Sequence, residues 1–144
     1  MRTTSQADLA VRLRLVIVRT ARRLRQEAGE GLSPSQSAAL ATIDRHGPLT
    51  PSELAGRERI QRPTATRLIA RLEQTGLVDR TRDPDDGRSS VVGLAPGGRE
   101  LLALVRTRKD AYLSRRLRDL DADERATLDR AAAILERVLA EDSA

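Results

Sequence analysis

Residues 49–102 constrain the fold most: LTPSELAGRERIQRPTATRLIARLEQTGLVDRTRDPDDGRSSVVGLAPGGRELL. Thr50-Pro51-Ser52-Glu53 carries a capping hydroxyl, a first-turn proline and an acid three residues on, which together start a helix. Leu54 and Ala55 anchor that short helix. After a turn at about 58–61 comes a second helix, Arg62 to Gln74, with Ala65, Leu68, Ile69 and Leu72 on one face at i, i+3, i+4, i+7. Gly76 supplies a left-handed stop. Residues 77–82 and 89–94 read as two short strands joined by Asp83-Pro84-Asp85-Asp86-Gly87-Arg88, which is turn chemistry. A long helix follows from Pro96 to about Leu117. Short helix, tight turn, helix, arginine-tipped hairpin and long helix, in that order, spell a winged helix-turn-helix.

The flanks extend the helical pattern. Residues 5 to about 28 carry one apolar stripe (Leu9, Leu13, Val16, Ile17, Ala21, Leu24) and a second (Val11, Leu15, Val18). A surface helix needs only one stripe, so two predict burial from two sides, one of them by another subunit. Gly29 and Gly31 end that helix. Ser33-Pro34-Ser35-Gln36 starts the next with the elements of a capping box, and Ala39, Leu40 and Ile43 face inward before His46-Gly47-Pro48 stops it. Asp121-x-x-Glu124 opens a last helix bearing Leu128, Ala131, Ile134, Leu135, Val138 and Leu139. The expected fold class is mainly α with a small β-hairpin wing, and with N- and C-terminal helices forming a dimerisation region. The expected division is 1–30 as an N-terminal dimerisation helix, 31–95 as the winged module and 96–144 as C-terminal dimerisation helices. Composition agrees: Tyr112 is the only aromatic among 144 residues. Large rings usually supply much core area, so a single subunit's core is thin and an oligomer interface is the natural remedy.

The helix Arg62–Gln74 has what a reader of base edges needs. Its free face carries Pro63, Thr66 and Arg67, flanked by Thr64 and Arg71. Arginine donates to guanine or phosphate, and threonine can touch a thymine methyl or a phosphate. Backbone amides near Arg62 and Thr64 add a positive helix end. Alone, such a helix is an ordinary amphipathic surface helix; the adjoining short helix and hairpin turn the reading towards DNA. In the wing, Arg82 and Arg88 are cationic, and a narrow minor groove attracts an inserted arginine. Asp86 would repel DNA, so its expected job is to hold the hairpin or orient Arg88. The net charge of +5, with 25 of the 26 basic residues arginine, suits a phosphate partner, although a coding bias towards arginine gives the same excess.

Other chemistries find no constellation. Cysteine is absent, which excludes disulfides, thiol redox sensing and thiolate zinc sites. Asp83, Asp85 and Asp86 lack the later bidentate glutamate of a calcium loop, and a single histidine, His46, builds no metal triad; it reads as structural or capping. No catalytic residues, metal site or cofactor is expected. Arg12 and Arg14 interrupt the apolar run of the first helix, so it is no signal peptide, and no apolar run approaches the ~20 residues of a membrane span. A cytoplasmic protein without membrane contact is the expectation.

These residues resemble the MarR family of bacterial regulators. Gly47-Pro48-Leu49-Thr50-Pro51-Ser52-Glu53-Leu54-Ala55 is similar to the start of its third helix, and Arg62-Pro63-Thr64-x-Thr66-Arg67-Leu68-x-x-Arg71-Leu72-Glu73 to its recognition helix. Gly76-Leu77-Val78, Asp83-Pro84-Asp85-Asp86-x-Arg88 and Leu94-x-Pro96-x-Gly98 resemble its wing and the beginning of its fifth helix. The likeness is specific from about residue 32 to residue 102. It implies six helices in the order αααα-ββ-αα with one extra short strand. It further implies a homodimer built on the first, fifth and sixth helices, and a repressor on a pseudo-palindromic double-stranded operator, released by a small-molecule effector. The implied effector pocket falls among Leu13, Val16, Ile17, Leu40, Ile43 and Val105, although their strong apolar periodicity favours plain core packing. Two positions depart from the pattern: Gln61 and Ala95 stand where the family often has capping Ser and Thr. The lack of cysteine also separates the chain from the family's thiol-oxidation sensors. The residues leave open a second reading, a winged-helix interaction or architectural module without sequence preference.

Overall fold

The computed structural model describes residues 3–141. The elements run α1 (Gln6–Ala28), α2 (Pro34–His46), α3 (Pro51–Glu58), α4 (Arg62–Gln74), β1 (Val78–Arg82), β2 (Ser90–Leu94), α5 (Pro96–Leu117) and α6 (Ala122–Glu141). The start signals work largely as expected. Ser33 accepts from the Gln36 amide while the Gln36 side chain accepts from the Ser33 amide, a complete capping box. Asp121 and Glu124 exchange the same pair of bonds before α6. At α3 only half the box forms: Thr50 Oγ1 accepts from the Glu53 amide, but the Glu53 carboxylate accepts from the Thr50 hydroxyl rather than from its amide. Gln61 and Ala95 make no side-chain cap bond.

The core belongs to the central module. Leu40 and Ile43 of α2, Leu54 of α3, Ile69 and Leu72 of α4, and Val78 and Val92 of the hairpin are almost wholly buried and belong to one cluster. Leu102 of α5 joins it, so the long helix is rooted in the module. The hairpin is antiparallel, with Val78 opposite Leu94 and Arg82 opposite Ser90. Leu49 adds a single bridge to Val92, exchanging bonds of 3.0 and 2.7 Å; this is the extra short strand, reduced to one residue pair.

Two glycines are required where the hairpin meets the helices. Gly76, with φ of 74°, reverses the chain after α4 in a conformation that a Cβ disfavours. Gly98 lets the first turn of α5 lie against the backbone before β1: a Cβ there would stand 2.1 Å from the Leu77 carbonyl oxygen. That carbonyl accepts from the Ala95 amide at 3.0 Å. Ala95 is itself buried. Outside the module, α1 packs along α5, while α6, among the described residues, has no extensive contact with other elements of its own chain. Arg125 Nη1 ties the start of α6 to the end of α5 through the Leu117 carbonyl, 3.4 Å, and to the connecting turn through the Leu120 carbonyl, 2.6 Å.

The exposed apolar faces follow from this layout. Leu9, Val11, Leu13, Leu15, Val16, Ile17 and Val18 of α1 are all exposed, as are Leu128, Ile134 and Val138 of α6. Both stripes of α1 therefore lie bare over its first three turns. The six residues expected to line an effector pocket are split: Leu13, Val16 and Ile17 stand on the open face of α1, and Leu40, Ile43 and Val105 are core. Apolar periodicity placed the first three on a helix face but does not say what covers that face.

Candidate nucleic-acid interface

The helix α4 is held by its buried Ala65, Ile69 and Leu72, and this fixes which side chains it offers to solvent. Arg62, Pro63, Thr66, Arg67 and Arg71 are exposed, and Thr64 is half-buried. Arg67 Nη2 donates to Thr64 Oγ1 at 3.3 Å, which draws that guanidinium along the helix axis. The Thr66 hydroxyl donates to the Arg62 carbonyl at 3.0 Å, leaving its methyl and oxygen lone pairs outward. The turn before α4 carries Arg59 in the left-handed region, φ 54°. Its amide donates to the Gly56 carbonyl, closing α3 tightly enough for α4 to start three residues later.

Three elements converge on a cleft of about 470 Å³ beside α4. Arginines enter it from α4 (Arg62), β1 (Arg80) and the hairpin (Arg88). Hydroxyls enter from Thr50 and Ser52 at the start of α3, from Thr66, and from Ser89 and Ser90. Among the residues expected from sequence, Arg62, Thr66 and Arg88 thus share one cleft. Pro63, Thr64, Arg67 and Arg71 lie along α4 outside its lining, and Arg82 lies exposed at the end of β1. Thr50, Ser52, Arg80, Ser89 and Ser90 were not legible as members of this site. They come from three separate elements, and nothing local in the sequence marks them.

The hairpin end is held from within. Asp86 accepts from the Arg88 amide (3.1 Å) and from the Ser89 hydroxyl (3.2 Å), and its carbonyl accepts from the Ser89 amide. Its carboxylate is therefore spent on the turn, and the Arg88 side chain is left exposed. Asp83 does the same one step earlier, accepting from the Asp85 amide at 2.9 Å. The hairpin is also tied to α4: Arg80 Nε donates to Glu73 Oε2 at 2.9 Å. His46 closes α2 and meets the Arg57 guanidinium at 3.3 Å.

At the start of α4, Gln61 provides no cap and Pro63 has no N–H. The amides of Arg62 and Thr64 face the first turn without a side-chain partner, beside the Arg62 wall of the cleft. A helix start in that state favours an anion. Arginine forks, hydroxyls and free amides around one groove-sized opening are the equipment of a phosphate-backbone site, and the exposed side chains of α4 beside it are those that read base edges.

A helix-turn-helix carried on a core that it shares with an arginine-bearing wing defines a winged-helix DNA-binding protein. Comparison with known proteins gives the family. The MarR family model matches residues 32–90. An HTH-type transcriptional regulator of Mycobacterium tuberculosis is 40% identical over 140 residues, covering 96% of this chain and 97% of the relative. One of Mycobacterium leprae is 40% identical over 132 residues, 91% and 92% of the two chains. Among solved structures, a transcriptional regulator from Pseudomonas aeruginosa is 37% identical with a TM-score of 0.82, covering 95% and 98%. A MarR family protein from Bacillus stearothermophilus is 25% identical with a TM-score of 0.81, covering 97% and 99%. The chain belongs to the MarR family of transcriptional regulators. It is a DNA-binding regulator and not an enzyme. Among the described residues no helix is long and apolar enough to cross a membrane.

Proposed function

We propose that the protein acts in the cytoplasm as a homodimeric repressor of a pseudo-palindromic operator, relieved by a small-molecule ligand. The observation that carries this reading is the cleft where α4, the start of α3 and the Arg88 hairpin meet. In it, Arg62, the free α4 amides and the hydroxyls hold backbone phosphates, while Arg67 and Arg71 project from α4 into the major groove and Arg88 reaches the adjacent minor groove. Arg82 adds positive charge along the wing, and Thr64 and Thr66 supply short contacts to a thymine methyl or a phosphate. Asp86 serves by fixing the hairpin rather than by touching DNA. Residues 31–95 form the DNA-binding module, and residues 1–30 and 96–144 the dimerisation region.

Dimerisation is supported by the bare apolar faces of α1 and α6, which water disfavours and a two-fold partner would cover. Repression is supported by similarity to a named repressor, MdtR of Bacillus subtilis, 32% identical over 95 residues. The six residues Leu13, Val16, Ile17, Leu40, Ile43 and Val105 are divided between the open face of α1 and the core, so a ligand pocket there requires the partner subunit to close over α1. Arg88→Ala tests the assignment of the wing. On an operator obtained by selection, affinity at fixed salt falls by about fivefold or more, since one groove contact is worth ~1–3 kcal/mol. Unchanged affinity refutes the wing's role.

A further inference from the structure

Tyr112 is the only tyrosine in a chain without Trp or Phe, and it stands half-buried on α5 opposite α1. Two guanidinium groups converge on its hydroxyl end. Arg23 Nε of α1 donates to the phenol oxygen at 3.3 Å, and Arg116 Nε of α5 at 3.4 Å. The two Cζ atoms lie 5.8 and 5.5 Å from the ring centre. With Glu27, Arg115 and Asp119 these residues line a cleft of about 290 Å³. It lies far along α5 from the module: α1 runs antiparallel to α5, with Ala28 meeting Arg108 and Arg23 meeting Tyr112.

The charges there are incompletely matched. Arg23 is bridged to Glu27 at 2.9 Å, but among the described residues Arg115 and Arg116 take part in no ion pair. Asp119 opposes them across the cleft without bridging either. Three guanidinium groups thus face two carboxylates, Glu27 and Asp119, around one neutral phenol, and the cleft keeps a net positive charge. An anion seated among them would offset it, and guanidinium forks fit tetrahedral phosphate bidentately. The phenol adds an O–H donor on the same wall.

We propose that the Arg23–Tyr112–Arg116 cleft between α1 and α5 binds a phosphoryl dianion. A ligand held there joins the N-terminal helix to the long helix, because Arg23 comes from one and Arg115 and Arg116 from the other. It is separate from the cleft beside α4 and from the apolar face of α1. The hydrogen bonds from Arg116 and then Arg23 hold the Tyr112 phenol below its usual pKa, since they favour the phenolate over the phenol, against a smaller opposing effect of burial. A bound anion takes those same donors and adds negative charge, so it moves the phenol back up.

The test needs no label, because all tyrosine absorbance and emission comes from this site. The intact protein is titrated with inorganic phosphate and with glycerol 3-phosphate, against chloride at equal ionic strength and constant pH. The expected result is a saturable change of Tyr112 emission with the phosphates only, and a higher spectrophotometric pKa of Tyr112 in their presence. Arg116→Gln weakens the response by roughly tenfold, as loss of one charge-assisted contact requires. Arg115→Gln, at an exposed position, serves the same purpose if the first variant folds poorly. Tighter binding of glycerol 3-phosphate identifies an organic phosphate ester as the natural source; equal binding identifies the free ion. A change that chloride reproduces, a response both variants retain, or no response at all overturns the proposal. The last outcome includes a cleft covered by the partner subunit.

Discussion

A charge placed on the open face of α1 makes the sharpest demand on this account. Val16 is 54% exposed in the single chain and Ile17 49%, so neither holds its own subunit together. Burying a whole valine is worth ~1.5–3 kcal/mol, so covering the exposed half of Val16 contributes about 1 kcal/mol. A two-fold interface repeats each substitution. Val16→Asp therefore removes ~2 kcal/mol of apolar burial per dimer, about a thirtyfold rise in dimer Kd. Desolvating the two carboxylates adds further cost, several kcal/mol if they end without partners, and takes the rise beyond about a hundredfold. Sedimentation equilibrium across protein concentration measures that Kd, and circular dichroism checks that helix content is kept. Wild-type dimer affinity in Val16→Asp would refute the claim that a second subunit covers this face.

Other perturbations probe the module. Gln61→Ser gives α4 the cap it lacks and raises stability by ~1 kcal/mol, about 3 °C in Tm; by occupying a free amide it also weakens operator binding, measured by titration. Ile69→Ala opens a cavity in the fully buried cluster and costs ~2–5 kcal/mol in urea unfolding; a cost below ~1 kcal/mol would mean that α4 is not seated as described. Arg62→Ala in both subunits makes the slope of log K against log salt shallower by about 1.8, because each lost phosphate contact is worth ~0.9. A slope equal to that of the wild type removes Arg62 from the phosphate site.

The sequence was most legible where a local rule acts on consecutive residues. The bounds of α4 follow from the spacing of Ala65, Leu68, Ile69 and Leu72, and those of α2 from the Ser33 capping box. The hairpin follows from its Asp-Pro-Asp-Asp-Gly turn. Asp86 was legible as a holding residue because an acid beside a groove-facing arginine has few other uses; the bond to the Arg88 amide fits that logic. What could not be read depends on elements far apart in the chain. The Glu73–Arg80 tie, the entry of Ser52 and Ser90 into the Arg62 cleft, and the meeting of Arg23 with Tyr112 are set by tertiary packing. The effector lining shows the same boundary. Periodicity put Leu13, Val16 and Ile17 on one face and Leu40, Ile43 and Val105 on others, but whether they meet depends on what lies over α1. Nothing local in the sequence marks Glu30, which is buried with one carboxylate oxygen on the Ser37 hydroxyl and the other, among the described residues, without a partner.

Sequence-specific reading of DNA by α4 is the central claim, and selection from a random duplex library tests it most directly, run with the wild-type protein and with Arg67→Ala. The account predicts enrichment of a palindrome whose half-sites lie about one helical turn apart, with the preference lost or altered in the variant. No enrichment by the wild type, or an identical motif from Arg67→Ala, would contradict it.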